Sequence, residues 1–137
     1  MRDDPITAVM TTDVVSIDRD QPLSDVYHAL QGAGFHHMPV LDGDRPVGMI
    51  SGTDVLKLVY DIEGASDRML TNMLDHQFNI DDAMSTDLVT LPDTATVHDA
   101  AVVLADGKLH SVVVVDATGA MAGIVTSTDL VRFLRDL

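Results

Sequence analysis

Residues 6–42 of this chain can be laid over residues 80–116, and that repetition constrains the fold more than any other feature. Ile6 meets Ile80, Met10 meets Met84, and Thr12-Asp13 meets Thr86-Asp87. Asp25 then meets Asp99, Leu30 meets Leu104, His36 meets His110 and Asp42 meets Asp116. After one inserted residue, Gly48-Met-Ile-Ser-Gly-Thr-Asp54 meets Gly123-Ile-Val-Thr-Ser-Thr-Asp129. Ten of the first 37 aligned positions are identical in unbroken order, so the two stretches read as copies of one unit. A copy of about 60 residues has little core of its own. Two copies packed by their sheets across a pseudo-two-fold would share one interior.

Each copy reads as β-α-β-β-α, which predicts an α/β (α+β) fold. In the first copy a β-branched strand is expected at Val14–Ile17. A helix follows, opened by Pro22, striped by Leu23, Val26, Tyr27 and Leu30, and ended by Gly32 and Gly34. Met38–Leu41 and Val47–Ile50 flank an Asp42-Gly43-Asp44 turn and form a hairpin. A last helix opens at Thr53 with Val55, Leu56, Leu58 and Val59 inward. The second copy predicts a strand at Leu88–Leu91 and a helix at Val97–Leu104. A hairpin of Val112–Val115 with Met121–Val125, and a helix at Thr128–Leu137, complete it. The expected division is a first motif over 1–63, a linker helix over 64–79 and a second motif over 80–137. In the linker, Met69, Leu70, Met73, Leu74 and Phe78 make an apolar face at helical spacing. That face either packs on its own module or offers an adaptable, Met-rich contact to a partner.

Composition removes several function classes. The net charge is −14, with 8 Lys and Arg against 22 acids, so a phosphate backbone finds no basic footprint and nucleic acid is not an expected partner. Cys is absent, which excludes disulfides, thiolate metal sites and cysteine nucleophiles. No aliphatic run approaches the length that spans a bilayer, and the acidic start Met1-Arg2-Asp3-Asp4 does not read as a secretory signal. A soluble, cytoplasmic protein without membrane contact is expected. The acidity itself reads as a soluble surface or as adaptation to high salt. No glycine-rich phosphate loop and no nucleophile with an evident base is present, so no enzyme is expected. His36, His37 and His110 have no carboxylate beside them at ligand spacing, so no metal is expected either.

The informative segment is the strand-to-helix turn that occurs twice. Ser51 is followed three residues later by Asp54, and Thr126 by Asp129. Locally, Ser/Thr-x-x-Asp is a relative of the helix capping box. A helix N-terminus also presents free N–H groups and partial positive charge, which suit phosphate. A hydroxyl there can donate to a phosphate oxygen, and an Asp can accept both hydroxyls of a ribose. Lys57 and Arg132 stand three positions after each Asp, beside a phosphate or in an ion pair with the Asp.

Two copies of this order, each with Gly-h-h-Ser/Thr-x-x-Asp, and His-His-Met-Pro-Val-Leu-Asp in the first, resemble a tandem pair of CBS (cystathionine-β-synthase type) domains, a Bateman module. The resemblance covers residues 6–137. It implies a sensor, attached to or acting on another protein, that binds an adenosine-containing ligand in clefts between the motifs; with nothing attached here, a stand-alone sensor is expected. AMP, ADP and ATP come first, then S-adenosylmethionine or NAD, and no cofactor is required. By that match Asp54 and Asp129 hold ribose, and Ser51 and Thr126 reach phosphate. The backbone of Thr12, Asp13 and Val14 serves one cleft and that of Thr86, Asp87 and Leu88 the other. His36, His37 and His110 stand where phosphate contacts are expected, although the family commonly uses Arg there. The resemblance also implies a homodimer and an unidentified regulated protein. The alternative is an oligomerisation or interaction scaffold whose clefts are vestigial.

Overall fold

The computed structural model describes residues 1–32, 37–59 and 66–137. A short 3-10 turn at Ile6–Ala8 precedes β1 (Ile17–Asp18), α1 (Leu23–Gly32), β2 (His37–Asp42), β3 (Arg45–Ser51) and α2 (Gly52–Val59). Then come α3 (Asp67–Gln77), α4 (Ile80–Ala83), β4 (Thr90–Pro92), α5 (Val97–Leu104), β5 (Ser111–Val115), β6 (Met121–Thr126) and α6 (Ser127–Arg135). This is a mixed α/β architecture with two three-stranded sheets, ordered β1-β2-β3 and β4-β5-β6. In each, the outer strand from before the helix runs parallel to its neighbour, with Ile17 opposite Val40 and Leu91 opposite Val114. β5 and β6 run antiparallel, Val112 opposite Val125. Gly43 closes the first hairpin at φ +66°, a conformation that side chains other than glycine rarely adopt.

The compact units cut across the sequence repeats. One comprises Met1–Val14, Asp44–Pro46 and Leu88–Leu137; the other comprises Val15–Gly43 and Val47–Asp87. Each therefore takes in the leading segment of the opposite repeat. In the unit holding the second sheet, Ile6 is fully buried with Ala100, Val112, Val114 and Val125. Its amide donates to the Ala95 carbonyl at 2.8 Å. In the unit holding the first sheet, Ile80 is fully buried with Leu23, Val26, Met38, Val40, Ile50, Val55 and Leu74. The capping box of Asn79 and Asp82 fixes the short α4 that carries it.

The linker helix is part of this second core. Leu74 is fully buried, Leu70 and Phe78 pack against the same cluster, and Met69 stays 57% exposed. Ser24, itself buried, donates its amide (3.0 Å) and its hydroxyl (2.8 Å) to the Asp75 carboxylate, which ties α3 to the first turn of α1.

Three expectations are corrected. The strand expected at Val14–Ile17 is only Ile17–Asp18, because the ladder with β2 begins at Ile17; β-branched residues without a ladder partner stay irregular. Its twin, expected at Leu88–Leu91, lies at Thr90–Pro92. Leu56 does not face inward: it is 58% exposed while Val55 is buried, since neighbours on a helix point about 100° apart. The inward placement of Val59 lies outside the described side chains.

Candidate functional site

At the end of β3 the chain turns directly into α2. There the Ser51 amide (2.9 Å) and hydroxyl (2.8 Å) both donate to Asp54 Oδ2, and the Asp54 amide donates back to Ser51 Oγ at 3.2 Å. At the end of β6 the same reciprocal pattern joins Thr126 and Asp129, at 2.8, 3.1 and 3.2 Å. All four residues are half-buried. Both turns are thus closed capping boxes, which fixes each carboxylate at the N-terminus of its helix.

The glycine that opens each motif explains what lies beside the turn. Ser85 exchanges backbone hydrogen bonds with Met49, at 2.9 and 2.8 Å, and Thr11 does the same with Ile124, at 2.8 and 2.9 Å. A Cβ on Gly48 would stand 2.7 Å from the Ser85 carbonyl oxygen, and one on Gly123 2.7 Å from that of Thr11. Only glycine lets these segments approach so closely. Thr12, Asp13 and Val14 thereby belong to the same compact unit as Thr126 and Asp129, and Thr86 and Asp87 to the same unit as Ser51 and Asp54. Leu88 falls in the unit of Asp129.

Thr11 and Ser85 were not singled out in the sequence, although both are hydroxyl residues at matching repeat positions. Thr11 Oγ1 donates to Asp129 Oδ1 at 3.2 Å. Ser85 Oγ accepts instead from the Asp87 amide at 3.2 Å. Asp54 Oδ1 therefore has no hydrogen-bond partner among the described residues, whereas both oxygens of Asp129 are engaged.

Lys57 and Arg132 are exposed, and neither closes an ion pair with its Asp; the ion pairs among the described side chains lie at Arg19 and Arg135. His37 is exposed at the start of β2, His110 is exposed just before β5, and His36 lies outside the described residues. Among the described residues no group of three His, Asp or Glu side chains is placed to hold a metal ion. No helix among them is long and apolar enough to cross a membrane.

The family model for the CBS domain matches residues 3–61 and again 80–136. The chain belongs to the CBS domain family. Its fold is that of solved CBS pairs. A CBS domain-containing protein of unknown function from Bacillus anthracis superposes with a TM-score of 0.79 at 18% identity, covering 98% of this chain and 95% of that one. CBSX2, a CBS-pair protein of Arabidopsis thaliana crystallised in complex with AMP, superposes at 0.77 with 23% identity, covering 97% of each chain. In sequence, an uncharacterised protein of Methanocaldococcus jannaschii is 26% identical over 148 residues, covering 100% of this CBS pair and 33% of the relative. The chain spans only 33%, 45% and 43% of three curated relatives that it matches.

Proposed function

We propose that this CBS pair is a regulatory module that binds an adenosine-containing ligand, AMP or ADP before ATP, and passes its occupancy to a partner protein or to its own homodimer. The observation that carries this reading is the twin turn. A fixed carboxylate, a hydroxyl and a helix N-terminus stand together at Ser51–Asp54 and again at Thr126–Asp129. The carboxylate suits the two hydroxyls of ribose, and the helix end suits phosphate. A structural relative, CBSX2, is crystallised with AMP, which supports the ligand class. In this reading Ser51 and Thr126 reach phosphate, with His36, His37, His110, Lys57 and Arg132 nearby. The backbones of Thr12–Val14 and Thr86–Leu88 face the base. The net charge of −14 favours a mono- or diphosphate over ATP, and leaves S-adenosylmethionine or NAD as further candidates. The ligand acts by binding two states unequally, since equal affinity shifts no equilibrium.

One observation favours the rival reading of an interaction scaffold. Both turns are already satisfied as capping boxes without any ligand. Thermal shift against AMP, ADP, ATP, NAD and S-adenosylmethionine separates the two. A ligand at roughly 100 times its Kd adds about 2.7 kcal/mol. Asp54→Asn and Asp129→Asn, each compared with its own ligand-free baseline, assign the shift to a turn. No shift with any of the five in a folded protein removes the nucleotide reading for that panel.

A further inference from the structure

The two units fasten their borrowed leading segments by different means. In the unit of the second sheet the fastening is backbone. The Ile6 amide donates to the Ala95 carbonyl at 2.8 Å, the Val97 amide to that of Asp4 at 2.8 Å, and the His98 amide to that of Arg2 at 3.0 Å. The counterparts of these pairs in the other unit are Ile80 with Gln21, Leu23 with Phe78, and Ser24 with His76. Among the described residues, none of these three pairs is joined by a backbone hydrogen bond.

A charged side chain stands in their place. The Arg19 amide donates to the Leu41 carbonyl at 2.8 Å, and its counterpart Asp93 donates to Val115 at the same distance. The backbones agree and the side chains differ. Arg19 Nη1 reaches Asp42 Oδ2 at 3.4 Å, and Nη2 reaches Asp81 Oδ2 at 2.9 Å. One guanidinium thus joins the β1–α1 turn to the end of β2 and to α4. The counterparts of Arg19, Asp42 and Asp81 are Asp93, Asp116 and Thr7, which cannot form such a pair. Among the described residues, Arg19 is the one Lys or Arg side chain that pairs with acids of other elements.

What α4 carries lies next to the Asp54 turn. A Cβ on Gly48 would stand 2.8 Å from Met84 Sδ, so Met84, the residue that ends α4, packs on that glycine. Ser85 follows and exchanges both backbone bonds with Met49, two residues before Ser51. Whatever holds α4 therefore holds Ser85 against the strand that ends in Ser51. We propose that Arg19 is a positioning residue for the Asp54 turn: its pair with Asp81 latches α4, and so sets Ser85 and the residues after it against β3. Its effect on ligand affinity rests on the nucleotide reading; the latch itself does not.

Hydrogen exchange on the intact, ligand-free chain reads the latch. Solvent screens an ion pair of this exposure, so the expected change is modest. In Arg19→Gln the Ser85 and Met49 amides exchange about two- to fivefold faster, while those of Thr11 and Ile124 keep the parent's rates. Asp81→Asn does the same, and the double variant is no faster than either single one. Circular dichroism checks that each variant folds. Calorimetry with AMP is the second arm. In an Asp129→Asn background, which leaves the Asp54 turn, Arg19→Gln weakens binding by a similar factor. Asp81→Asn weakens it too, although losing an acid would by charge alone favour an anion. In an Asp54→Asn background neither has an effect. Unchanged exchange at Ser85 and Met49 overturns the proposal. So does equal acceleration at Thr11 and Ile124, which marks a general loosening, and so do additive single variants. Faster exchange with unchanged AMP affinity at the Asp54 turn overturns the positioning role. A parent that binds no AMP at either turn removes the nucleotide reading, and the exchange rates alone then decide the latch.

Discussion

Thr11 donates its hydroxyl to Asp129 Oδ1 at 3.2 Å, and its repeat counterpart Ser85 makes no such bond with Asp54, its oxygen accepting from the Asp87 amide instead. The two turns are alike in backbone and unlike in readiness. In the proposed reading, a ribose at Asp54 would meet an Oδ1 that no described residue engages, whereas at Asp129 it would compete with Thr11 for Oδ1. Titration calorimetry with AMP is therefore expected to give unequal sites, the tighter one lost in Asp54→Asn. Thr11→Val removes the competing donor. Since a net hydrogen bond is worth about 0.5–1.5 kcal/mol, it should tighten the Asp129 site by about two- to tenfold. Weaker binding in Thr11→Val would instead make Thr11 a ligand contact.

Gly48→Ala and Gly123→Ala each place a methyl 2.7 Å from a backbone carbonyl oxygen, which cannot swing away as a side chain would. Each is expected to destabilise the fold by about 1–3 kcal/mol in urea unfolding. A neutral Gly48→Ala would mean that the Met49–Ser85 bridge opens readily.

Leu74→Ala tests whether the linker helix is structural. Deleting a fully buried Leu costs about 2–5 kcal/mol, whereas Met69→Ala, on the exposed side, should change stability by less than about 0.5 kcal/mol. Equal effects of the two would refute the assignment of the face. A double-mutant cycle over Ser24→Ala and Asp75→Ala should show coupling, because one serine supplies both donors to one carboxylate.

Acid should unfold the protein through particular carboxylates, one in the α5 cap and one in the β5–β6 turn. The Thr96 amide, and then its hydroxyl, hold Asp99 below the usual carboxylate value. The Thr118 hydroxyl, and then its amide, do the same for Asp116. A carboxyl whose pKa is depressed by folding contributes stability that is fully present above its unfolded value of about 3.9 and is lost as pH falls through the lower folded value. Urea midpoints should thus fall with acidification below about pH 4. Asp99→Asn and Asp116→Asn keep an acceptor but cannot titrate there, so their midpoints should fall less steeply. Slopes identical to the parent's would show that other carboxylates govern acid unfolding.

Much of this architecture was legible because it was written twice. The α5 helix, Val97–Leu104, matches its expected bounds, for its start is marked by Thr96 with Asp99 three residues on, and its stripe is apolar. The hairpins were readable from apolar runs broken at Asp42-Gly43 and Asp116–Gly119. The outer strands were not, because Val14–Ser16 has strand composition and no ladder partner, and pairing is a tertiary fact. The partnership of Thr11 with Asp129 spans 118 positions and could not be read from local pattern. It was hinted at only by the hydroxyl shared with Ser85. The role of Gly48 and Gly123 was hidden for the same reason: what a glycine makes room for comes from the other repeat.

Those borrowed leading segments set a condition on the history of the chain. Ile6, with Val9 and Met10 packed beside it, completes a core otherwise built from the second copy, and Ile80, with Leu74 of the linker helix, one built from the first. A protein with a single copy would have to trade its opening residues with a sister molecule, and its folding would then depend on protein concentration. Fusing two copies in tandem turns that trade into an intramolecular event, governed by tether length rather than by abundance. Neither half can then be trimmed away without unlatching the one that remains.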